Sequence, residues 1–363
     1  MQLRVRGATR GVASLPMNFA VAVEGERQTA AAAAGDTVLD VLLAANIGFS
    51  YSCQSGNCGT CKCELLSGEI VEMEHSEHAL TAAERARGVV LACRSQVWGD
   101  VVVRRLAAEE FIVHPSRVMQ CRVVTLIPLT HDIVGLRMKI ENGGPFTFSA
   151  GQYARLELPS APGVVRDYSM ANCPGDAMLE FYVRILPQGQ VSRALAQLRV
   201  GDLVRVSGPL GTSYLRAQHP GPLLAIAGGS GLAPVRSIVD SALANGESRE
   251  MHVYFGARSA RDVYLHDTFA CWRARGVLTH VVLSEPTGLA APYRDGLVSD
   301  AVAADFADLK GYKVYLAGPP PMVDAATEVV RARGVPTRDI HADAFYPAPA
   351  TNFAPIKMQV AVR

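Results

Sequence analysis

Three cysteines of one short loop, Cys53-x4-Cys58-x2-Cys61, with a fourth at Cys93, constrain this chain more than any other feature. The loop reads YSCQSGNCGTCKCEL. A four-then-two spacing with a distant fourth thiol is the ligand pattern of a [2Fe–2S] centre. A tight loop that supplies three thiolates must wind around the metal. Gly56 and Gly59 suit that path, because glycine relaxes the φ/ψ limits and lets backbone N–H groups turn inward. Cys53, Cys58, Cys61 and Cys93 are therefore the expected ligands. A strand would put Cys63 on the same face as Cys61, yet the spacing is complete without it. Cys121, Cys173 and Cys271 stand singly and read as small buried hydrophobes.

The alternatives for eight cysteines fit less well. A chain of 363 residues buries a core without disulfide staples. A zinc site draws on two short-spaced Cys/His pairs rather than on one loop. The net charge is +1 with 19% charged residues, which points to neither nucleic acid nor an anionic membrane as partner. The longest apolar runs, VLDVLLAANI and PLLAIAGG, are too short to span a bilayer. Residues 1–15 carry Arg4, Arg6 and Arg10 but no apolar stretch or cleavage site, so no signal peptide is expected and the cytoplasm is the expected location.

Three kinds of pattern follow one another, and they predict a multidomain α+β and α/β chain. Residues 1–16 read as an arm. From Met17 an alternating hairpin, a helical stretch TVLDVLLAAN, the cysteine loop and further strands predict a small β-grasp domain over 17–105. Residues 106–116, broken by Pro115, read as a linker. Over 117–214 short alternating strands recur with a single helix, VSRALAQL, and predict an antiparallel barrel. From 220 to 346 strand, glycine-rich turn and helix alternate, which predicts a parallel α/β sheet that binds a nucleotide. The tail 347–363 has no periodicity.

Several short stretches carry chemistry. Arg166-Asp167-Tyr168-Ser169 offers a phosphate partner, a stacking face and a hydroxyl on one strand, with Arg166 and Tyr168 on one side and Ser169 on the other. Gly189-Gln190-Val191-Ser192 precedes SRALAQL. There, free N–H groups and the positive dipole end would attract a pyrophosphate; an ordinary N-cap at Ser192 is the plainer reading. LLAIAGGSGLAPVRSIV places Gly228, Gly229, Ser230 and Gly231 between strand and helix, although Pro234 stands where a G-x-G-x-x-G turn has its last glycine. A second turn, AGPPPM, adds Ala317, Gly318 and Pro319 at the edge where open α/β sheets bind ligands. Arg258 and Arg261, after the strand MHVYFGA, could meet a 2′-phosphate or simply be solvated.

The motifs YSCQSGNCGTCKC, VHPSR, GQYA, RDYSM, SGPLGTSYLR, GGSGLAPV, YFGARS and IHADAFY, in this order, resemble the ferredoxin–NAD(P)⁺ reductase superfamily. More closely, they are similar to reductase components of bacterial aromatic-ring-hydroxylating oxygenases of the naphthalene dioxygenase type, with an N-terminal plant-type ferredoxin domain. The resemblance covers nearly everything from Met17 to Tyr346. It implies FAD in the barrel, with Tyr168 stacked on the flavin ring and Ser169 near its N5. Arg166 and Ser192 would hold phosphate, and Tyr182 and Arg184 would line the ribityl and phosphate chain. Gly229, Ser230, Gly231 and Pro234 would cradle the nicotinamide nucleotide, with Gly318 and Pro319 opposite and Phe345 or Tyr346 near the flavin. Ala317 departs from the resemblance, since many relatives carry cysteine there.

The expected function is an electron relay from NADH, with NADPH use left open, through FAD and the [2Fe–2S] cluster to a ferredoxin or a terminal oxygenase. The cofactors carry that chemistry, so no acid or base side chain is required of the protein. Two other readings remain: a reductase for a phenol- or methane-type monooxygenase or a deoxysugar dehydratase, and a non-enzymatic iron–sulfur carrier with degenerate flavin and nucleotide sites.

Overall fold

A computed structural model of the chain describes residues 18–77, 79–106, 112–142, 146–186, 190–285 and 293–346. The arm 1–16, the tail 347–363 and the candidate Gly189 lie outside the described residues. The chain divides into two units, one holding residues 1–47 and 62–106, the other residues 48–61 and 107–352.

The first unit contains β1 (Asn18–Val23), β2 (Thr29–Ala33), α1 (Val38–Ala44), β3 (Lys62–Ser67), β4 (Ile70–Glu72), α2 (Ala82–Arg85), β5 (Val89–Leu91), β6 (Ser95–Val97) and β7 (Val101–Arg105). Its main sheet has the order β2-β1-β7-β3-β5, with β1 and β7 parallel and the other pairs antiparallel. That mixture, with one helix following the first hairpin, is the β-grasp arrangement that the hairpin and helical stretch predict. Thr37 starts α1 by accepting the Asp40 N–H at 3.1 Å, which satisfies one of the helix's orphan donors. Val38, Leu39, Val41 and Leu42 are buried.

The second unit begins, after the cysteine loop, with β8 (Arg117–Pro128), β9 (Ile133–Ile140), β10 (Tyr153–Glu157), β11 (Val165–Ser169), β12 (Met178–Arg184), α3 (Gln190–Gln197) and β13 (Leu203–Leu210). These strands form an antiparallel sheet in the order β11-β10-β13-β8-β9-β12. A bridge between Met170 and Phe181 brings its two ends together, so the sheet curls into a barrel. Along β8, Met119, Cys121 and Val123 point inward while their neighbours face out, the period-two pattern of a half-buried strand.

The rest of the unit is β14 (Leu223–Gly228), α4 (Leu232–Ala244), β15 (Met251–Ala257), α5 (His266–Ala274), β16 (Leu278–Leu283), β17 (Arg294–Asp295), α6 (Val298–Asp305), β18 (Lys313–Gly318), α7 (Pro320–Ala332) and β19 (Ile340–Ala344). All six strands run parallel, in the order β17-β16-β15-β14-β18-β19. Every residue of β14 and β18 is buried, because helices cover both faces of such a sheet. One apolar cluster joins Ile133, Ala171 and Tyr182 of the barrel region to Leu232, Val235 and Ile238 of α4. Ser237 seals it by donating to the Asn172 carbonyl at 2.7 Å.

Ile226 is fully buried at the centre of β14 among Leu224, Tyr254 and Leu316 of one core cluster, so its truncation leaves a cavity. Ile226→Ala is expected to cost about 2–5 kcal/mol, lowering the urea midpoint of the second unit by roughly 1 M or more.

Candidate functional site

The cysteine loop takes its shape from three residues in the left-handed region, Gln54 (φ 51°), Gly56 (φ 78°) and Gly59 (φ 72°). The resulting turns point the N–H groups of Ser55 and Asn57 at the Cys53 sulfur, at 3.5 and 3.4 Å. The Cys58 thiol also donates to it, and together these donors bring the Cys53 pKa down to about 5 against the effect of burial. Cys58 is pushed the opposite way by that same hydrogen bond and by burial. Cys61 is buried at the loop's end. Inward N–H groups around a ready thiolate suit the sulfur ligands of an iron–sulfur centre. Cys93, the expected fourth ligand, is buried in the single turn Ala92–Arg94 of the first unit, and Cys63 is buried on β3.

The loop is fastened to the barrel and the last strand by Ser169 and Tyr346 together with side chains that sequence patterns did not single out. Three hydrogen bonds join Tyr51 and Thr212: the Tyr51 N–H donates to the Thr212 hydroxyl, and the Thr212 hydroxyl and N–H both donate to the Tyr51 carbonyl. The Tyr153 hydroxyl donates to the Ser52 carbonyl at 3.0 Å, and Arg155 donates to Gln54 Oε1 at 3.0 Å. Tyr346 reaches the Asn57 carbonyl at 2.8 Å. The Asp343 carboxylate accepts from Ser52 Oγ at 3.0 Å and from Ser169 Oγ at 3.2 Å. Burial pushes the Asp343 pKa up to about 6, although both hydroxyls oppose the rise.

A cavity of about 650 Å³ opens beside these contacts. Cys53, Arg155, Arg166, Ser169, Asp343, Phe345 and Tyr346 are among its walls. Arg166 bonds the Val165 carbonyl. Tyr168 lies on the other side of β11 from Ser169, half-buried against the barrel's apolar cluster. Burial raises its pKa to about 12. Tyr182 is buried, with its ring edge-on to Tyr264 at 5.6 Å and its hydroxyl bonded by Arg236. Ser192 is not an N-cap: α3 begins two residues earlier, and its hydroxyl accepts the Leu186 N–H at 2.7 Å. Val191 packs into the barrel cluster. Gathering arginines, a hydroxyl and two terminal aromatics on one cavity fits a large anionic, aromatic cofactor.

The second cavity, about 300 Å³, lies at the carboxyl edge of the parallel sheet. Gly228, Gly229, Gly256, Arg258, Ser284 and Pro319 border it, together with Asp132 and Arg184 from the barrel. Two glycines make its floor possible. A Cβ on Gly231 would lie 2.1 Å from the Ala317 carbonyl oxygen, and one on Gly318 (φ 142°) would lie 2.7 Å from the Gly228 carbonyl oxygen. Only bare backbone lets the two turns approach so closely. Ser230 is half-buried in the turn, and Pro234 is buried in the first turn of α4, where it needs no N–H partner. The pocket sits where β14 has neighbours reached by connections in opposite directions, the usual ligand site of open α/β sheets.

Barrel, parallel sheet and cysteine loop in this arrangement define an NAD(P)H-dependent oxidoreductase that carries FAD and a [2Fe–2S] cluster. The family described as "2Fe-2S iron-sulfur cluster binding domain" matches residues 21–97, "Oxidoreductase FAD-binding domain" matches 120–214, and "Oxidoreductase NAD-binding domain" matches 225–328. The reductase component of the naphthalene 1,2-dioxygenase/salicylate 5-hydroxylase systems of Ralstonia is 42% identical over 86% of this chain and 94% of its own. The naphthalene 1,2-dioxygenase reductase component of Pseudomonas putida is 40% identical over the same shares. An Amycolatopsis cytochrome P450 reductase of known structure superimposes with a TM-score of 0.76 at 35% identity, covering 91% of this chain and 100% of its own. The chain belongs to the ferredoxin–NAD(P)⁺ reductase components of the naphthalene dioxygenase type. Among the described residues no helix is long and apolar enough to cross a membrane.

Asp343 yields a pH signature. Its folded pKa of about 6 lies above the unfolded value of about 3.9. Between those values the unfolded chain releases a proton that the folded one keeps, so stability falls as pH rises, and the full cost is present above the folded pKa. Compared with Asp343→Asn, the native protein should lose roughly 1 kcal/mol of stability between pH 5 and 7.5, read from urea midpoints at each pH. Parallel pH curves for the two proteins would refute this.

Proposed function

We propose that this protein takes electrons from NADH and passes them through FAD and the [2Fe–2S] cluster to a ferredoxin, or directly to the terminal oxygenase of an aromatic-ring-hydroxylating system. One observation carries the reading: Cys53 of the cluster loop and Ser169 of the flavin strand border the same cavity. When bound, FAD accepts a hydride and releases electrons singly to an iron–sulfur centre.

The chain's own residues bind, orient and shield. Cys53, Cys58, Cys61 and Cys93 hold the cluster, and the Ser55 and Asn57 N–H groups supply hydrogen bonds to ligand sulfur. Ser169, held by Asp343, presents its hydroxyl to the flavin edge, with Tyr168 and Phe345 as aromatic neighbours. Arg166 and Ser192 would hold the FAD phosphates, with Val191 beside Ser192 and Gly189 preceding them in the sequence. Tyr182 and Arg184 would line the ribityl and phosphate chain. Gly229, Ser230, Gly231 and Pro234 cradle the nucleotide opposite Gly318 and Pro319. The corresponding domains are 17–105 for the cluster, 117–214 for FAD and 220–346 for NADH, joined by the linker 106–116. A cytoplasmic location accords with thiolate ligands.

Anaerobic NADH should bleach the flavin absorbance of the reconstituted protein. In Cys58→Ser, essentially all cluster absorbance and ferredoxin reduction should be lost while NADH still bleaches the flavin. Cys63→Ser should retain the cluster. A protein that binds iron and sulfide yet cannot be reconstituted with FAD would be a carrier, and the relay reading would fall.

A further inference from the structure

The order of strands orients any dinucleotide that lies across the parallel sheet. Asp343 on β19 bonds Ser169 of the barrel, so the flavin side of the sheet is its β18–β19 end. A nicotinamide must reach that side to react. The adenosine end of the same molecule then lies over β15 and β16, whose carboxyl ends carry Arg258 and Ser284-Glu285.

Two carboxylates at that end already pair with Arg258, which engages them through Nη2 alone and stays 44% exposed. Arg258 donates to Asp262 Oδ1 at 2.7 Å and to Asp132 Oδ2 at 3.2 Å. The same Asp132 oxygen takes Arg184 at 2.9 Å. Both carboxylates are well covered, with side-chain exposures of 18% for Asp132 and 11% for Asp262. Asp262 is further fixed by the Ser259 N–H and hydroxyl, at 3.0 and 2.8 Å. His131 faces both, with ring nitrogens 3.9 Å from Asp132 and 3.8 Å from Asp262. The backbone N–H of Glu285 donates to the Arg258 carbonyl at 2.8 Å, which brings a third acidic residue to this end. Arg261, one residue before Asp262, is exposed.

We propose that Asp132 and Asp262 offset the charge of Arg258 and thereby make the adenosine end of this site select NADH over NADPH. The inference rests on reading this cavity as the nucleotide site. A 2′-phosphate carries close to two negative charges and is favoured where a guanidinium's charge is not already offset by carboxylates. Nη2 alone holds the two carboxylates, and the exposed part of the guanidinium could still meet a phosphate. That phosphate would sit beside two fixed carboxylates and Glu285, whose charges offset the guanidinium's. A 2′-hydroxyl is neutral and donates to a carboxylate without that conflict. Arg258 after β15, which as a sequence feature could meet a 2′-phosphate or be solvated, therefore acts as the counter-charge of two acids.

Calorimetric titration of the reconstituted holoprotein with ADP-ribose and with 2′-phospho-ADP-ribose tests this without turnover. Native protein should bind ADP-ribose more tightly by about tenfold or more, the worth of one charge-assisted hydrogen bond. Asp132→Asn with Asp262→Asn should shift the ratio of the two affinities toward the phosphorylated ligand by about tenfold. Adding Arg258→Ala to that pair should reverse the shift, whereas Arg258→Ala alone should move the ratio little. If the double variant fails to fold or to hold FAD, Asp262→Asn keeps an acceptor for Ser259 and should shift the ratio in the same direction by about threefold. If neither ligand binds the native protein, the nucleotide-site reading itself fails. If ADP-ribose binds but the ratio ignores these substitutions, or the native protein prefers the phosphorylated ligand, the selectivity inference alone is overturned.

Discussion

One buried carboxylate holds the redox end of the second unit together. Asp343 lies on the last strand of the parallel sheet and accepts hydrogen bonds from Ser52, beside the first cluster cysteine, and from Ser169, on the barrel strand. Three segments far apart in the chain are joined at one atom group. A carboxylate excluded from water stays there only because its oxygens are bonded. The position of the cysteine loop relative to the flavin cavity therefore depends on this contact and on the Tyr153, Arg155 and Thr212 bonds that support it.

A second constraint is backbone proximity at the sheet's carboxyl edge. Gly231 against Ala317, and Gly318 against Gly228, leave no room for a Cβ. The turns after β14 and β18 press together, and the nucleotide cavity opens above them at the switch in strand order. The wall on the far side comes from the barrel, through Asp132 and Arg184. Barrel and parallel sheet thus meet at this cavity: Arg184 and Arg258 converge on one oxygen of Asp132.

Local signals were the ones that sequence patterns exposed. The cysteine spacing, the glycines that take left-handed φ, the fully apolar β14 and the alternating β8 all follow from neighbours a few residues apart. Three residues behave differently from their local reading because a distant partner outweighs it. Ser192 lies inside α3 and caps Leu186 instead of starting the helix. Tyr182 turns into the core between barrel and sheet, where Tyr264 and Arg236 receive it. Arg258 reads locally as a 2′-phosphate partner or a solvated cation; half-exposed, it also pairs with Asp132, 126 residues earlier.

By itself, the sequence determined the order of the three modules and the chemistry they can hold, since ligand spacing, glycine turns and hydrophobic period are local properties of the chain. Only the tertiary structure decided which carboxylates face which cations and hydroxyls. Asp343 was legible merely as part of the motif IHADAFY, and nothing in that string announces Ser52 or Ser169 as its partners. Such pairings depend on how strands from separate segments are brought side by side. That is set by burial of the whole core, and no short stretch of sequence contains it.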